Sequence, residues 1–91
     1  MSPKYGRFLQ YGIFFFSNEV DEPPHVHVSL PGTPNSSSKF WLDATSVRLA
    51  HNDARIPSHD LTRIERYLNE NVADILEFWE AFFKGGGNDP R

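Results

Sequence analysis

The spacing of apolar residues changes once along this 91-residue chain, near Ser58. Before that point Val26, Val28 and Leu30 alternate with polar residues, which is the period of two of a strand with one buried face. Beyond it apolar residues recur every three or four positions, which is the period of a helix. Strands followed by helices are typical of the α+β class. The sequence therefore predicts an antiparallel sheet of about four strands, covered on one face by two C-terminal helices.

Turn-forming residues divide the strand region. The apolar residues on either side of Gly12, including the run 13–16, predict two short strands or one strand with a bulge at Gly12. The loop "PGTPNSSS" separates the strand 25–30 from "KFWLD" at 39–43, so these two strands are predicted to pair as an antiparallel hairpin. Residues 46–50 are compatible with a further strand.

The helical pattern is too long for one helix. A straight helix over residues 58–84 would measure about 40 Å, more than a domain of this size can cover. The segment "NEN" at 69–71 is the predicted break, because Asn71 can cap a second helix and Asp74 follows three residues later. Ser58 is in position to cap the first helix.

Length and composition limit the possible classes of protein. The chain is short enough to predict a single domain, residues 1–91, with an ordered core at about 7–84, a helix end at Gly85 and a disordered tail at 86–91. It has no cysteine, which excludes disulfides and thiolate metal sites. We find neither a signal peptide nor a stretch of about 20 apolar residues, so we expect a soluble cytoplasmic protein without a membrane segment.

Overall charge argues against a stand-alone nucleic-acid-binding module. The formal net charge is -3, whereas a domain that neutralises several phosphates is usually basic. A local basic patch stays possible, so nucleic acid is left open as a partner.

The order of the segments "RF", "YGIFFFSN", "DEPPHVHV", "KFWLD" and "ILEFWEAFFKG" resembles the small bacterial proteins of the domain of unknown function 4160 family. The resemblance covers about residues 7–84, and its most specific part is the Pro-Pro-His-x-His element. Val26 replaces the usual aromatic residue, and the loop 31–38 is longer than usual. The resemblance implies a second small protein encoded nearby, in a pair that looks like a toxin–antitoxin module. It implies no activity and no catalytic residue.

His25 and His27 are the candidate metal ligands. Two residues apart on a strand, they place their Cα atoms about 6.6 Å apart on one face, close enough for one tetrahedral ion such as zinc. Completion requires further ligands, and the candidates of suitable chemistry are Asp21, Glu22, Asp43, His51 and His59. A complete site would support the alternative function, a metal-dependent hydrolase or nuclease; we expect no other cofactor.

The same pair has two interpretations without a metal. In the structural one, which we favour, Val26 and Val28 build the core while His25 and His27 face solvent or cap backbone groups. In the other, the histidines contact a partner. We expect the two rings to share one face, to lack a third protein ligand, and to form part of a recognition surface.

The predicted helices offer two more candidate surfaces. His59, Arg63 and Arg66 form a basic stripe opposite the apolar side of the first helix, either as a solvated face or as a contact for an acidic partner or RNA. Phe78 and Phe83 widen the apolar side of the second helix and suggest a homodimer or partner contact there.

These features together predict a small cytoplasmic interaction module, one member of a toxin–antitoxin-like pair. Its predicted function is to bind a partner protein through the His25/His27 strand, the basic stripe, or both. A purely structural binding protein is the third possibility.

Overall fold

The structure is a computed structural model that describes residues 4–16, 21–33 and 35–83. Five strands are followed by two helices, in the order β1 Lys4–Phe8, β2 Tyr11–Phe14, β3 His25–Ser29, β4 Ser38–Leu42, β5 Val47–Asn52, α1 Ser58–Glu70 and α2 Val72–Phe83. The predicted α+β class is confirmed. The sheet has five strands, one more than expected.

Every strand of the sheet pairs antiparallel with its neighbour in sequence, giving the order β1-β2-β3-β4-β5. The N-terminal segment forms two short strands, which was one of the two predicted alternatives, because the chain folds back on itself at Leu9 and Gln10, where Leu9 has a φ of 56°. The irregularity in this hairpin lies in β1 between Lys4 and Gly6, so the alternative with a bulge at Gly12 is wrong.

The hydrophobic core lies between one face of the sheet and the two helices. We call this side of the sheet the covered face. Val26 and Val28 are fully buried in it, as predicted. The core is apolar except for the hydroxyl group of its tyrosine and the indole N–H of its tryptophan, and its members are Tyr11, Ile13, Phe15, Val26, Val28, Phe40, Leu42, Val47, Ile56, Ile64, Leu68, Val72, Ile75, Trp79 and Phe83. Each large side chain contributes about 1.5–3 kcal/mol by its burial.

Two tyrosines connect the sheet to the helices. The hydroxyl of Tyr11 donates a hydrogen bond to Oδ2 of Asp60 on α1 at 2.8 Å. The hydroxyl of Tyr5 donates to Oδ2 of Asp74 on α2 at 2.6 Å. Asp74 therefore binds the edge strand instead of completing the predicted capping box.

The break between the helices falls at Asn71, as predicted, but the predicted caps are wrong. The Asn71 side chain donates to the carbonyl of Tyr67 at 2.8 Å, so it satisfies the end of α1 and not the start of α2. Ser58 is already the first residue of α1, and Pro57 before it has no side-chain group that could accept a capping hydrogen bond.

The predicted helix end at Gly85 and the tail 86–91 lie outside the described residues. Within the described ranges, no helix combines the length and the apolar character needed to cross a bilayer.

Candidate functional site

Strand β3 separates its side chains onto the two faces of the sheet. Val26 and Val28 enter the core, so His25 and His27 lie on the opposite side, which we call the open face. Their ring centroids are 5.1 Å apart and their planes are nearly perpendicular. The two rings share one face, as predicted. Of the two alternatives predicted for them, facing solvent is wrong, because His25 is 1% and His27 5% exposed, whereas His25 does cap a backbone group, the carbonyl of Pro23.

Aromatic rings bury the two histidines. Phe14 stacks on His27 at 5.7 Å, and Phe16 approaches the same ring edge-on at 4.5 Å. Trp41 meets His25 edge-on at 5.6 Å. We call these five residues the imidazole–aromatic cluster; they are separate from the core on the covered face. The sequence pattern shows the alternation of β3 but not this burial, which depends on partners from β2 and β4.

Hydrogen bonds at Nδ1 orient both imidazoles. Nδ1 of His25 lies 2.8 Å from the carbonyl oxygen of Pro23. A carbonyl oxygen only accepts, so this nitrogen carries the proton and donates it. Nδ1 of His27 lies 3.1 Å from Oγ of Ser37. The carbonyl group of Pro23, the first of the two adjacent prolines, therefore helps to hold His25 in the cluster.

Glu22 is the carboxylate nearest to His25 among the predicted ligands. Its Oε1 lies 4.0 Å from Nδ1 of His25, a nitrogen that is already bonded to the Pro23 carbonyl, and the same oxygen accepts a hydrogen bond from Nζ of Lys39. Lys39 in turn lies over the ring of Trp41, 4.3 Å from its centroid. The carboxylate of Glu22 therefore neutralises the charge of Lys39 at the margin of the cluster.

The remaining predicted ligands do not gather at the histidine pair. Nδ1 of His51 lies 3.4 Å from Asp53, and His59 is on α1, with 78% of its side chain exposed. Across residues 4–16, 21–33 and 35–83, no three His, Cys, Asp or Glu side chains are grouped so that they could hold a metal ion. The metal site at His25 and His27 stays a prediction.

Cross-strand register arranges the open face in rows, because directly opposed residues project on the same side of an antiparallel sheet. The central row crosses all five strands and contains Lys4, Phe14, His27, Lys39 and His51. The rows on either side contain Arg7, Gly12 and Ser29, and His25, Trp41 and Arg48.

All lysine and arginine residues of the strands fall in these rows. The five strands contain no Asp or Glu, and their basic residues are Lys4, Arg7, Lys39 and Arg48. Carboxylates are instead frequent on the helices, which contain Asp60, Glu65, Glu70, Asp74, Glu77 and Glu80. The open face therefore has an excess of basic side chains in a chain of net charge -3, although Glu22 balances Lys39. Sequence reasoning missed it, although the absence of carboxylates from the predicted strands was a visible signal.

Two cavities lie at opposite sides of the cluster. The first has a volume of about 320 Å³ and is lined by Lys4, Arg7, Gly12, Phe14, Ser29, Leu30, Pro31 and Gly32. The second, of about 350 Å³, is lined by Pro23, Pro24, Trp41, Leu42, Asp43 and Arg48. Both have an arginine of an edge strand in their walls.

The basic stripe does not join this surface. His59, Arg63 and Arg66 are exposed on α1, which packs on the covered face, so the sheet separates them from His25 and His27. The two surfaces predicted from sequence are thus distinct.

Of the two contact residues predicted on α2, Phe78 is exposed and Phe83 is buried. Phe83 is 5% exposed and packs against Phe15 and Trp79, so it belongs to the core. Phe78 is 38% exposed while touching Tyr5 and Phe15. A homodimer through this helix stays a prediction, with Phe78 as its available side chain.

The fold and the site define a small α+β domain in which, over the described residues, the helices cover one face of a five-stranded sheet and the other face carries a basic, aromatic surface. The chain belongs to the family described as domain of unknown function (DUF4160), whose profile matches residues 11–80. The matched region runs from β2 into α2 and includes all five residues of the imidazole–aromatic cluster. No curated protein and no solved structure matches the chain.

Proposed function

We propose that this protein is a small interaction module that binds an acidic segment of a partner protein on the open face of its sheet. The observation that carries the proposal is the segregation of charge: the strands hold four lysines and arginines without a carboxylate, all on the side away from the helices. A surface of one sign in a protein of opposite net charge favours a complementary partner and guides its approach.

The imidazole–aromatic cluster makes this surface rigid. Its rings are fixed by one another and by the hydrogen bonds of His25 and His27. Residues on a rigid support lose little conformational freedom when a partner binds, which favours affinity. The histidines therefore support the binding face, and the exposed contacts come from neighbouring side chains such as Arg7 and Arg48.

A protein partner fits this face better than a nucleic acid. Sheets that bind single strands stack bases on exposed aromatic rings. Here Phe14 is only 7% exposed, and Trp41 already has Lys39 over its ring. The positive charges are therefore present beside rings that are buried or already covered, as in Phe14 and Trp41, and this combination suits carboxylates better than bases.

The family resemblance supplies the partner for the proposal: a small protein encoded next to this chain, with which it forms a toxin–antitoxin-like pair. An acidic segment of that protein is the expected contact. The metal-dependent alternative lacks a third ligand among the described residues, so no observation favours it.

Two matched charge reversals test the proposal. The open-face variant Arg7→Glu/Arg48→Glu and the stripe variant Arg63→Glu/Arg66→Glu change the net charge equally, at exposed positions in both cases. Binding of the neighbouring protein is measured by isothermal titration calorimetry, and folding by the melting temperature. We expect the open-face variant to bind about 100-fold more weakly, equivalent to about 2.8 kcal/mol, and the stripe variant to bind within about threefold of wild type.

The opposite pattern would assign the interface to α1 and overturn the proposal. A ten-nucleotide oligouridine serves as a second probe in the same experiment. If it binds the wild type more tightly than the neighbouring protein does, with a steep dependence on salt, the partner is RNA and the acidic-segment proposal is wrong.

A further inference from the structure

Gly12 leaves a gap in one row of the open face. It lies between Arg7 on β1 and Ser29 on β3, both of which project side chains on the same side. Glycine in a strand interior is less favourable than alanine, and it often marks a place where a ligand approaches the backbone.

The fold itself does not require glycine at this position. Among the described residues, the glycine with a positive φ is Gly32, so Gly12 has a backbone conformation open to other residues. A Cβ atom at Gly12 would lie 3.8 Å from the carbonyl oxygen of Ser29, an ordinary van der Waals contact. The β1 irregularity lies elsewhere, between Lys4 and Gly6. Neither a turn, a bulge nor crowding explains the glycine.

What the missing side chain keeps open is the cavity of about 320 Å³ between β1, β2 and the turn after β3. Phe14, Leu30 and Pro31 give it apolar walls, and Lys4 and Arg7 place positive charge beside them. No Asp or Glu among residues 4–16, 21–33 and 35–83 lines it. Leu30 is 44% exposed, so apolar surface is accessible next to the two cations.

We propose that this cavity is the anchoring pocket of the interface: it receives one apolar side chain of the partner, and Lys4 and Arg7 bind an Asp or Glu carboxylate adjacent to that side chain. This inference rests on the proposed function and specifies the motif that the partner must carry. The volume of the cavity is at the lower end of the range for ligand pockets. An apolar anchor in a pocket with a charged rim is the usual arrangement at the centre of an interface, and an arginine can bind a carboxylate through two parallel hydrogen bonds.

A pair of glycine substitutions tests the pocket. Gly12→Val fills the cavity floor with a side chain that favours strands, whereas Gly6→Val adds the same group on the neighbouring strand, opposite Ile13, where nothing lies within 4 Å of the new Cβ. Calorimetry with the neighbouring protein should show binding about 30-fold weaker for Gly12→Val and within about threefold of wild type for Gly6→Val. The melting temperature of Gly12→Val should equal or exceed that of wild type, so lost binding is not lost folding.

Short peptides test the same pocket without the partner. Acetyl-Leu-Glu-amide and acetyl-Leu-Gln-amide have the same shape and differ in charge. Titrated into the labelled protein, the first should shift the backbone amide signals of Gly12, Leu30 and Gly32 with an affinity at least about fivefold higher than the second. Arg7→Leu should remove that difference in affinity. This variant tests the pocket even if Gly12→Val fails to fold.

The outcomes separate the inference from the function on which it rests. Wild-type binding by Gly12→Val, together with loss of binding in Arg7→Glu/Arg48→Glu, overturns the pocket and leaves the open face as the interface. Equal shifts by the two peptides overturn the carboxylate motif. If neither Gly12→Val nor Arg7→Glu/Arg48→Glu changes binding, both the pocket and the proposed function are wrong.

Discussion

The two faces of the sheet bury side chains of different chemistry. On the covered face, Val26, Phe40 and their neighbours pack against the helices and need no hydrogen bonds. On the open face, His25 and His27 are as well buried but each has a polar partner. Burying an imidazole is favourable only when its nitrogen atoms have hydrogen-bond partners. The stability of the open face therefore depends on hydrogen-bond geometry, whereas the stability of the covered face depends on the apolar area that is buried.

This difference separates stability from recognition. The covered face gains its free energy from the amount of apolar surface removed from water. The open face holds its rings in fixed orientations, with Lys39 over the ring of Trp41 and Arg48 opposite Trp41 on the next strand. We therefore expect substitutions on the covered face to change mainly the free energy of unfolding, and substitutions on the open face to change binding more than stability.

The largest effect is expected on the covered face. Phe40 is 1% exposed, so Phe40→Ala should lower the free energy of unfolding by about 3–5 kcal/mol, through lost burial and the cavity left behind. Leu49→Ala is the control, because Leu49 lies opposite Phe40 on β5 but is 38% exposed, and should cost less than about 1 kcal/mol. Urea unfolding measures both. Similar losses for the two variants would contradict the placement of the core.

An intermediate effect is expected in the imidazole–aromatic cluster. His27→Ala removes the ring contacts with Phe14 and Phe16 and the hydrogen bond with Ser37, and should cost about 2 kcal/mol. His27→Phe restores the ring but not the hydrogen bond and should recover about half of the loss. A loss as large as that of Phe40→Ala would make the cluster a second core and remove the distinction between the faces.

The smallest effect is expected at the tyrosine hydroxyls. Tyr11→Phe removes the hydrogen bond to Asp60 and should cost about 1 kcal/mol at neutral pH. Burial, followed by that hydrogen bond, raises the pKa of Tyr11 above its ordinary value of 10.0, and burial and Asp74 likewise raise the pKa of Tyr5. Above pH 10 the unfolded chain releases these protons while the folded protein still holds them, so stability should fall as the pH rises.

Unfolding measured from pH 9 to pH 11 tests this dependence. The wild type should lose stability steadily above about pH 10, and Tyr11→Phe should lose it with a shallower slope, since Tyr5 still contributes. Identical slopes for the two proteins would show that Tyr11 does not hold its proton in the folded state.

Local patterns predicted the parts of the fold that depend on local structure. The alternation at Val26 and Val28 identified the covered face of β3, and the helix break at 69–71 followed from helix length. The direction of the Asn71 cap was wrong because the same side chain can serve either helix, and only the arrangement of the two helices decides between them.

The candidate site was predictable only in part for a similar reason. Residue spacing placed His25 and His27 on one face, but their burial requires Phe14 and Trp41, which are distant in sequence. The cationic rows require the register of all five strands, since Lys4 and Arg48 are grouped by pairing and not by proximity in the chain. Register is a property of the whole sheet, and a one-residue shift would place each side chain on the other face.

The strand order has a kinetic consequence. Because every strand pairs with the one before it, the sheet can form hairpin by hairpin with short loop closures, and such local topologies fold quickly. During synthesis all five strands leave the ribosome before α1 and α2. The apolar side of a newly formed sheet therefore stays accessible to water until α2 is made, and this interval is when the nascent chain is most prone to aggregate.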